Sequence, residues 1–440
     1  MSLARHASSI LLTNTVTEGL QFLLKIIVAG LLGPQTFGVY TLLQLLPQYA
    51  EKFFRFGVDD GVTYLAGRAR ERAGLFFFNA LIILFVASLA SMILIWSAHS
   101  SFVNWVLKGS HVSLLTIGVT LLQIPSVFLI RASTKRLMFL EDIKAYNLWT
   151  YGPPLLAAVG VALVAAFSPT NLFLIMAIVT LAMALGATGS ARAVYRLEPM
   201  QCHLDKKVVW ELLHYGRRLY VPGIMNYMQF RADVLLLGLF LNPKEVGIYA
   251  LAAVLAQIVF RLASVVASLL YAKASKESEE YSLVMALNAC RYTLLCSAII
   301  SIPVLLAVEV GVTFFMPAYL SMLVPFYWLL PAWLIVGTGH VLQHYYYGIG
   351  QPSVPTRAIS TAAIINIVLN VVLIPHIGIT GAAISSFVSY LLYSTWLVIA
   401  FLRKNKTSLQ ELILPRKSDF KILIQSLRSI RRPAIEGKAA

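Results

Sequence analysis

Apolar residues run along this chain in blocks of about twenty, separated by short polar segments. Each block is long enough to cross a ~30 Å hydrocarbon layer as a helix. The pattern predicts about twelve spans, at roughly 8–32, 37–62, 75–97, 112–130, 148–167, 171–191, 219–241, 246–270, 286–308, 322–347, 358–376 and 379–402. Short alternating segments of the kind a membrane barrel needs are not the pattern here. Backbone groups inside lipid must bond within their own segment, so the spans are expected to be α-helices.

A repeat divides the blocks. Leu32-Gly33-Pro34-Gln35-Thr36-Phe37-Gly38-Val39-Tyr40 returns as Leu241-Asn242-Pro243-Lys244-Glu245-Val246-Gly247-Ile248-Tyr249, an offset of 209 residues. The same offset pairs Gln48 with Gln257 and Lys52 with Arg261. Each copy closes one span and opens the next, where proline suits the turn and glycine allows close helix packing. Six spans per half is an even number, so both halves start on the same side. The expected fold is an all-α polytopic membrane protein: two six-helix bundles related by a pseudo-twofold axis along the membrane normal, with a cavity on that axis. The expected divisions are 1–195 for the first bundle, 196–218 for a linker, 219–402 for the second bundle and 403–440 for a basic tail.

Composition agrees. Hydrophobic residues make up 59% of the chain and charged residues 12%, half the share usual in soluble domains. Mean hydropathy is +0.78. The first block reads as a span rather than a cleaved signal segment. The net charge of +16 would suggest nucleic acid in a soluble protein. Here the basic residues outside the spans gather on one side, with only Lys108 and Lys244 on the other. That asymmetry places both termini in the cytoplasm and removes nucleic acid as a partner. Phe420, Leu423, Ile424 and Leu427, flanked by Lys421, Arg428, Arg431 and Arg432, read as an amphipathic surface helix or an unstructured tail. Cys202, Cys290 and Cys296 lack metal-ligand spacing.

Charges inside the spans carry the chemistry. A Lys or Arg at a helix centre costs ~2.5–3.5 kcal/mol to insert, and Lys25, Lys52, Arg55, Arg231 and Arg261 all lie within blocks. Asn14, Glu18, Gln21 and Lys25 share one helical face; Gln44, Gln48, Lys52, Arg55 and Asp59 share another; Gln257, Arg261, Ser264 and Ser268 form the repeat-related stripe. Glu51–Arg55 and Arg55–Asp59 have the spacing of i, i+4 pairs and are the structural alternative for Arg55. Lys25, Lys52 and Arg261 have no acidic partner at such a spacing. A cationic chamber suits a phosphate or pyrophosphate, which Lys and Arg bind through charge-assisted hydrogen bonds. Glu18 and Asp233 are candidates for a coupling proton or cation, or else counter-ions to Lys25 and Arg231. Gln343-His344-Tyr345-Tyr346-Tyr347, with His340 one turn earlier, reads as an interfacial aromatic belt, a sugar-stacking surface being the alternative. No third ligand joins the histidines, so no metal is expected there. No nucleotide-binding glycine loop, nucleophile elbow or metal-ligand spacing appears, which disfavours ATP-driven transport by the chain alone; no cofactor is expected.

Three stretches carry a family resemblance: LLGPQTFGVYTLL at 31–43, LNPKEVGIYALAAVL at 241–255, and the segment 347–392, with Asn366, Asn370, Pro375, Gly378, Gly381, Ala382 and Ala383. Over about 1–402 the chain resembles the polysaccharide flippase family (Wzx type) of the multidrug/oligosaccharidyl-lipid/polysaccharide exporter superfamily. The resemblance implies a V-shaped pair of bundles and alternating access. It implies transfer of a lipid-linked oligosaccharide, carried on polyprenyl pyrophosphate, from the cytoplasmic to the outer leaflet of a bacterial cytoplasmic membrane for O-antigen or exopolysaccharide assembly. A polysaccharide polymerase and other glycan-assembly proteins would be partners. Superfamily members that flip peptidoglycan precursors carry cavity cations on spans 1, 2 and 8, where Lys25, Lys52 and Arg261 lie. Rival expectations are a multidrug/cation antiporter of the same architecture, which would favour acids and aromatics in its cavity, and a membrane glycosyltransferase or polymer ligase, which usually needs a larger outer loop than any between these spans.

Overall fold

A computed structural model of the chain describes residues 3–167, 171–198 and 202–414, and the amphipathic segment at 420–432 lies outside them. The described residues form helices and no strands: α1 (Leu3–Phe54), α2 (Val58–Arg68), α3 (Ala73–Ser97), α4 (His99–Trp105), α5 (Leu114–Leu121), α6 (Gln123–Phe139), α7 (Ile143–Ala165), α8 (Leu172–Leu197), α9 (Lys206–Phe240), α10 (Pro243–Ala256), α11 (Phe260–Ala274), α12 (Glu279–Phe315), α13 (Leu323–Gly348), α14 (Ser353–Asn405) and α15 (Leu409–Ile413). Among these residues nine continuous helical segments are long and apolar enough to span a membrane. Two of them are double. α1 breaks at Gly33 (φ 68°) and α14 at Ile377–Gly378 (Gly378 φ 60°), both at expected external turns. α9 has the length of a span, but its charges, Arg231 and Asp233 among them, lower its hydropathy. The set is compatible with the twelve expected spans.

Several boundaries differ from the hydropathy pattern, each for a local reason. The second span ends at Phe54 rather than 62, because Phe56 and Gly57 both take positive φ and turn the chain into α2. A Cβ at Gly57 would collide with the Gly216 carbonyl oxygen, and one at Gly216 with that of Phe56, so two glycines permit this crossing. α6 continues to Phe139, putting Arg131, Lys135 and Arg136 on a helix instead of a loop. The seventh-span helix starts at Lys206, capped by Asp205. The eighth span is interrupted by a 3₁₀ turn, Gln257–Val259, between α10 and α11.

The chain forms two compact units. Unit 1 comprises Met1–Leu255, Gly311–Tyr327 and Ala363–Ser386; unit 2 comprises Ala256–Val310, Trp328–Ala362 and Phe387–Ala440.

In unit 1 the two repeat copies pack against each other reciprocally. A Cβ at Gly38 would strike the Pro243 carbonyl oxygen, and a Cβ at Gly247 would strike that of Pro34. The 209-residue offset found in the sequence is therefore also a contact relation. Tyr319 closes the same end, its hydroxyl donating to the Ala29 carbonyl at 2.9 Å and its ring meeting Phe37 edge-on. At the other end the segment leading into α9 is tied down: Asn79 donates to the His203 carbonyl at 2.9 Å and accepts from the Asp205 amide at 3.0 Å. Buried Arg136, with Phe139 against its guanidinium, donates from Nε to Glu198 Oε2 at 2.8 Å.

In unit 2 an aromatic column of Phe260, Trp333 and Tyr390 joins α11, α13 and α14 at ring separations of 5.1 and 5.2 Å. Buried Arg291 donates to the Glu411 carbonyl at 2.6 Å and so holds α15 against α12.

Candidate functional site

The polar stripe of the second span ends in an ion network built by α1, α2 and α6, all within unit 1. Glu51 is its centre, with a side chain 6% exposed. Lys52 Nζ lies 3.1 Å from it, Arg55 Nε 3.4 Å and Arg131 Nε 3.6 Å. Arg55 also binds Asp59 at 2.9 Å and lies 4.0 Å from Asp60, while Lys135 bridges Asp59 at 2.5 Å and contacts Asp60. Four cations thus surround three carboxylates. Arg131 is the member most open to solvent, with a side chain 49% exposed. A cavity of about 10 Å³, the size of one water, opens beside Asp59, Lys135 and Arg136. Asp59 Oδ1 and Arg136 Nη1, two buried polar atoms without a hydrogen-bond partner among the described residues, belong to its lining residues.

One turn before this network the stripe meets α9. Lys52 Nζ sits 5.8 Å from the centre of the Tyr227 ring, and the Tyr227 hydroxyl donates to Gln48 Oε1 at 3.4 Å. Tyr49 stacks edge-on against Tyr227 and donates to the Arg231 carbonyl at 3.1 Å. The surface is cationic and aromatic, suited to a phosphorylated head next to a sugar.

The sequence-derived candidates distribute as follows. Lys52 and Arg55 enter one network, and the Glu51–Arg55 and Arg55–Asp59 pairs form as their spacing suggested. Lys52, expected to lack an acidic partner, has one: its neighbour Glu51, which helical spacing rules overlook. Because the helix ends at Phe54, the Arg55–Asp59 pair spans a turn rather than one helical face. Arg231 reaches this region through its backbone. Asp233 is buried and accepts from the Tyr249 hydroxyl at 2.5 Å, tying it to the second repeat copy. Lys25 and Glu18 are half-buried on the first segment of α1 in unit 1. Arg261 is half-buried on α11, just past the 3₁₀ turn, in unit 2.

Arg131 and Lys135 were grouped with loop charges by hydropathy. Nothing in their local sequence pairs them with Glu51 or Asp60, more than seventy residues away; only the continuation of α6 delivers them. Arg291, inside the expected span 286–308, is buried within α12. The Gln343–Tyr347 run is not a belt. Tyr345 and Tyr346 are 0% and 1% exposed, Tyr345 packs on Phe401, and Gln343 joins the hydroxyls of Tyr347 (2.8 Å) and Tyr393 (2.6 Å). Internal hydrogen bonds replace the interfacial water a belt would use.

Comparison with known proteins adds a second kind of observation. A family model described as "Polysaccharide biosynthesis protein" matches residues 3–271. The probable low-salt glycan biosynthesis flippase Agl15 of Haloferax volcanii is 23% identical over 408 residues, covering 89% of this chain and 81% of that protein. Among solved structures, the lipid II flippase MurJ in an inward closed conformation superposes with a TM-score of 0.75 at 14% identity, over 96% of each chain. An inward-facing MATE family multidrug resistance transporter of the MOP superfamily gives 0.63 at 12% identity, over 90% of this chain and 96% of that one. At these identities the structural likeness establishes the fold.

Proposed function

Since the chain belongs to the polysaccharide biosynthesis protein family, we propose that it is a flippase carrying a polyprenyl-pyrophosphate-linked oligosaccharide from the cytoplasmic to the outer leaflet, for assembly of a cell-surface polysaccharide. It is a multi-pass membrane transporter and not an enzyme. The observation that carries the reading is the cation excess of the Glu51 network, at the end of a polar stripe within a span. Such an excess attracts a pyrophosphate, and the Tyr227–Tyr49 surface beside it supplies aromatic faces for sugar. On this reading Lys25, Lys52 and Arg261 hold the pyrophosphate, Arg55 and Arg231 support it, and the prenyl chain stays in lipid. The two six-span halves, 1–195 and 219–402, alternate access to the two leaflets, with both termini on the cytoplasmic side of the cytoplasmic membrane. Glycan polymerase and other assembly proteins act on the product. Transport is ion-coupled; Glu18 remains a candidate coupling acid, and Asp233 a weaker one because Tyr249 already occupies it.

The test is the double variant Lys52→Ala/Arg261→Ala expressed in a strain lacking the native gene. Surface glycan is expected to disappear while the protein stays at wild-type level in the membrane. Unchanged glycan output would falsify the site assignment. The MATE-like fold keeps a drug/cation antiporter as the second reading; the cation excess opposes it, and a deletion strain is expected to show wild-type drug susceptibility.

A further inference from the structure

The break at Gly33 allows depth to be read from residue numbers. Both arms of α1 belong to unit 1, and their far ends return to one place. On the first arm, Asn14 Oδ1 accepts from the Tyr146 hydroxyl of α7 at 3.1 Å. On the second, Glu51 lies 3.6 Å from Arg131 of α6, whose charge also acts on the Tyr146 hydroxyl. Residues equally far from Gly33 therefore lie at about the same level. Asn14 and Lys52 are each nineteen residues away, about 28 Å at the rise of an α-helix. Lys25 is eight residues away, about 12 Å. Against a hydrocarbon layer of ~30 Å with Gly33 at one face, Asn14 and the Glu51 network reach the other face and Lys25 lies near the middle.

Cations of unit 1 thus occupy two levels rather than one. Lys52, Arg55 and Arg131 are gathered beside Glu51, and that contact keeps their charges at its level. Lys25 stands eleven residues beyond Asn14 on the same helical face, about 16 Å along the axis. Glu18, on that face between them, puts a carboxylate between the two levels. The first level is where the head of a membrane lipid rests, because a charged pyrophosphate avoids hydrocarbon. Two groups there are equipped for it. Arg131 is the most exposed cation of the network. Asn14 is exposed as well, and with its oxygen engaged by Tyr146 its Nδ2 hydrogens are left to donate to a phosphate oxygen.

We propose that unit 1 holds the pyrophosphate in turn at two stations. The loading station, at the cytoplasmic edge of the hydrocarbon, consists of Arg131, Lys52 and the Asn14 amide around the Glu51 network. The second station is Lys25, near mid-membrane. The inference rests on the flippase reading and deepens it, since Arg131 and Asn14 join the substrate site and Lys25 receives a role distinct from that of Lys52. Loading determines affinity for the head as it arrives from the cytoplasmic leaflet. Lys25 acts later, stabilising the head after it has passed Glu18, and so governs transfer rather than capture.

Separating binding from export tests this. Binding of undecaprenyl pyrophosphate to the purified full-length protein in detergent is compared with surface glycan output in a strain lacking the native gene. Arg131→Gln is expected to weaken binding about tenfold. Lys25→Gln is expected to bind within about twofold of wild type, as a site remote from the loading station should, and to export almost no glycan; Lys25→Arg is expected to restore export. Equal loss of binding in Lys25→Gln and Arg131→Gln, wild-type binding in Arg131→Gln, or wild-type export from Lys25→Gln overturns the two stations and leaves the flippase reading intact. Alkylation followed by mass spectrometry gives an independent reading should either variant fail to fold. Inorganic pyrophosphate is expected to slow modification of Asn14→Cys and to leave that of Gln21→Cys, seven residues nearer the turn, unchanged. Protection at both positions or at neither overturns the proposal too. Absence of lipid-probe binding by the wild type overturns both this proposal and the flippase reading.

Discussion

A carboxylate shared by three cations behaves differently from one held by a single partner. Glu51 sits 3.1–3.6 Å from Lys52, Arg55 and Arg131, and its Oε1 makes no hydrogen bond of good geometry. On the proposed reading it is a loose internal counter-ion whose place an incoming phosphate takes. Glu51→Gln is therefore expected to tighten binding of a pyrophosphate probe about tenfold, equivalent to about 1.4 kcal/mol, while slowing release and so lowering glycan export. Titration with the probe and an export assay together check both halves of that outcome. Arg136 is the contrasting case, a buried guanidinium committed to Glu198 with no excess of charge. Removing one member of such a pair leaves the other uncompensated, so Arg136→Ala is expected to cost about 3 kcal/mol, read as a lowered thermal midpoint in detergent. The sequence shows one part of this chemistry and hides another. Glu51, Arg55 and Asp59 are legible because partners four residues apart follow from helix geometry. Arg131, Lys135 and Glu198 are not, because their pairing is tertiary and their charges look like ordinary loop charges beside a membrane.

At the scale of elements, membrane spans are the easiest feature to read, since hydrocarbon thickness dictates their length. Their ends are harder. Phe56 and Gly57 stop the second span early through backbone conformation, and the helical continuations of α6 and α9 run on polar residues that hydropathy assigns to loops. The turns that carry the repeat are sites where one atom matters. Gly38→Ala would put a methyl group against the Pro243 carbonyl, a neighbour that is backbone and cannot swing aside. This variant is expected to reach the membrane normally and to lose most surface glycan, because the repeat copies no longer pack. Labelling of a cysteine introduced at Gln35 by a membrane-impermeant reagent is expected to rise in the same variant. Gly19, where a Cβ meets open space, serves as the control and should tolerate alanine.

At the scale of the whole molecule, the chain passes between its two units at five places, and every one lies inside a helix rather than a loop: in α10, α12, α13 and twice in α14. The 3₁₀ turn at Gln257–Val259 directly follows the first passage, and such turns hold weaker hydrogen bonds. Amides 257–260 are expected to exchange with deuterium at least about tenfold faster than those of 246–254, measured by mass spectrometry in detergent. The reciprocal packing of the repeats couples them. Each glycine is constrained by the other copy's proline, so a side chain added at either one disturbs both copies. The two stretches are held alike at this spot because each serves as the other's mould.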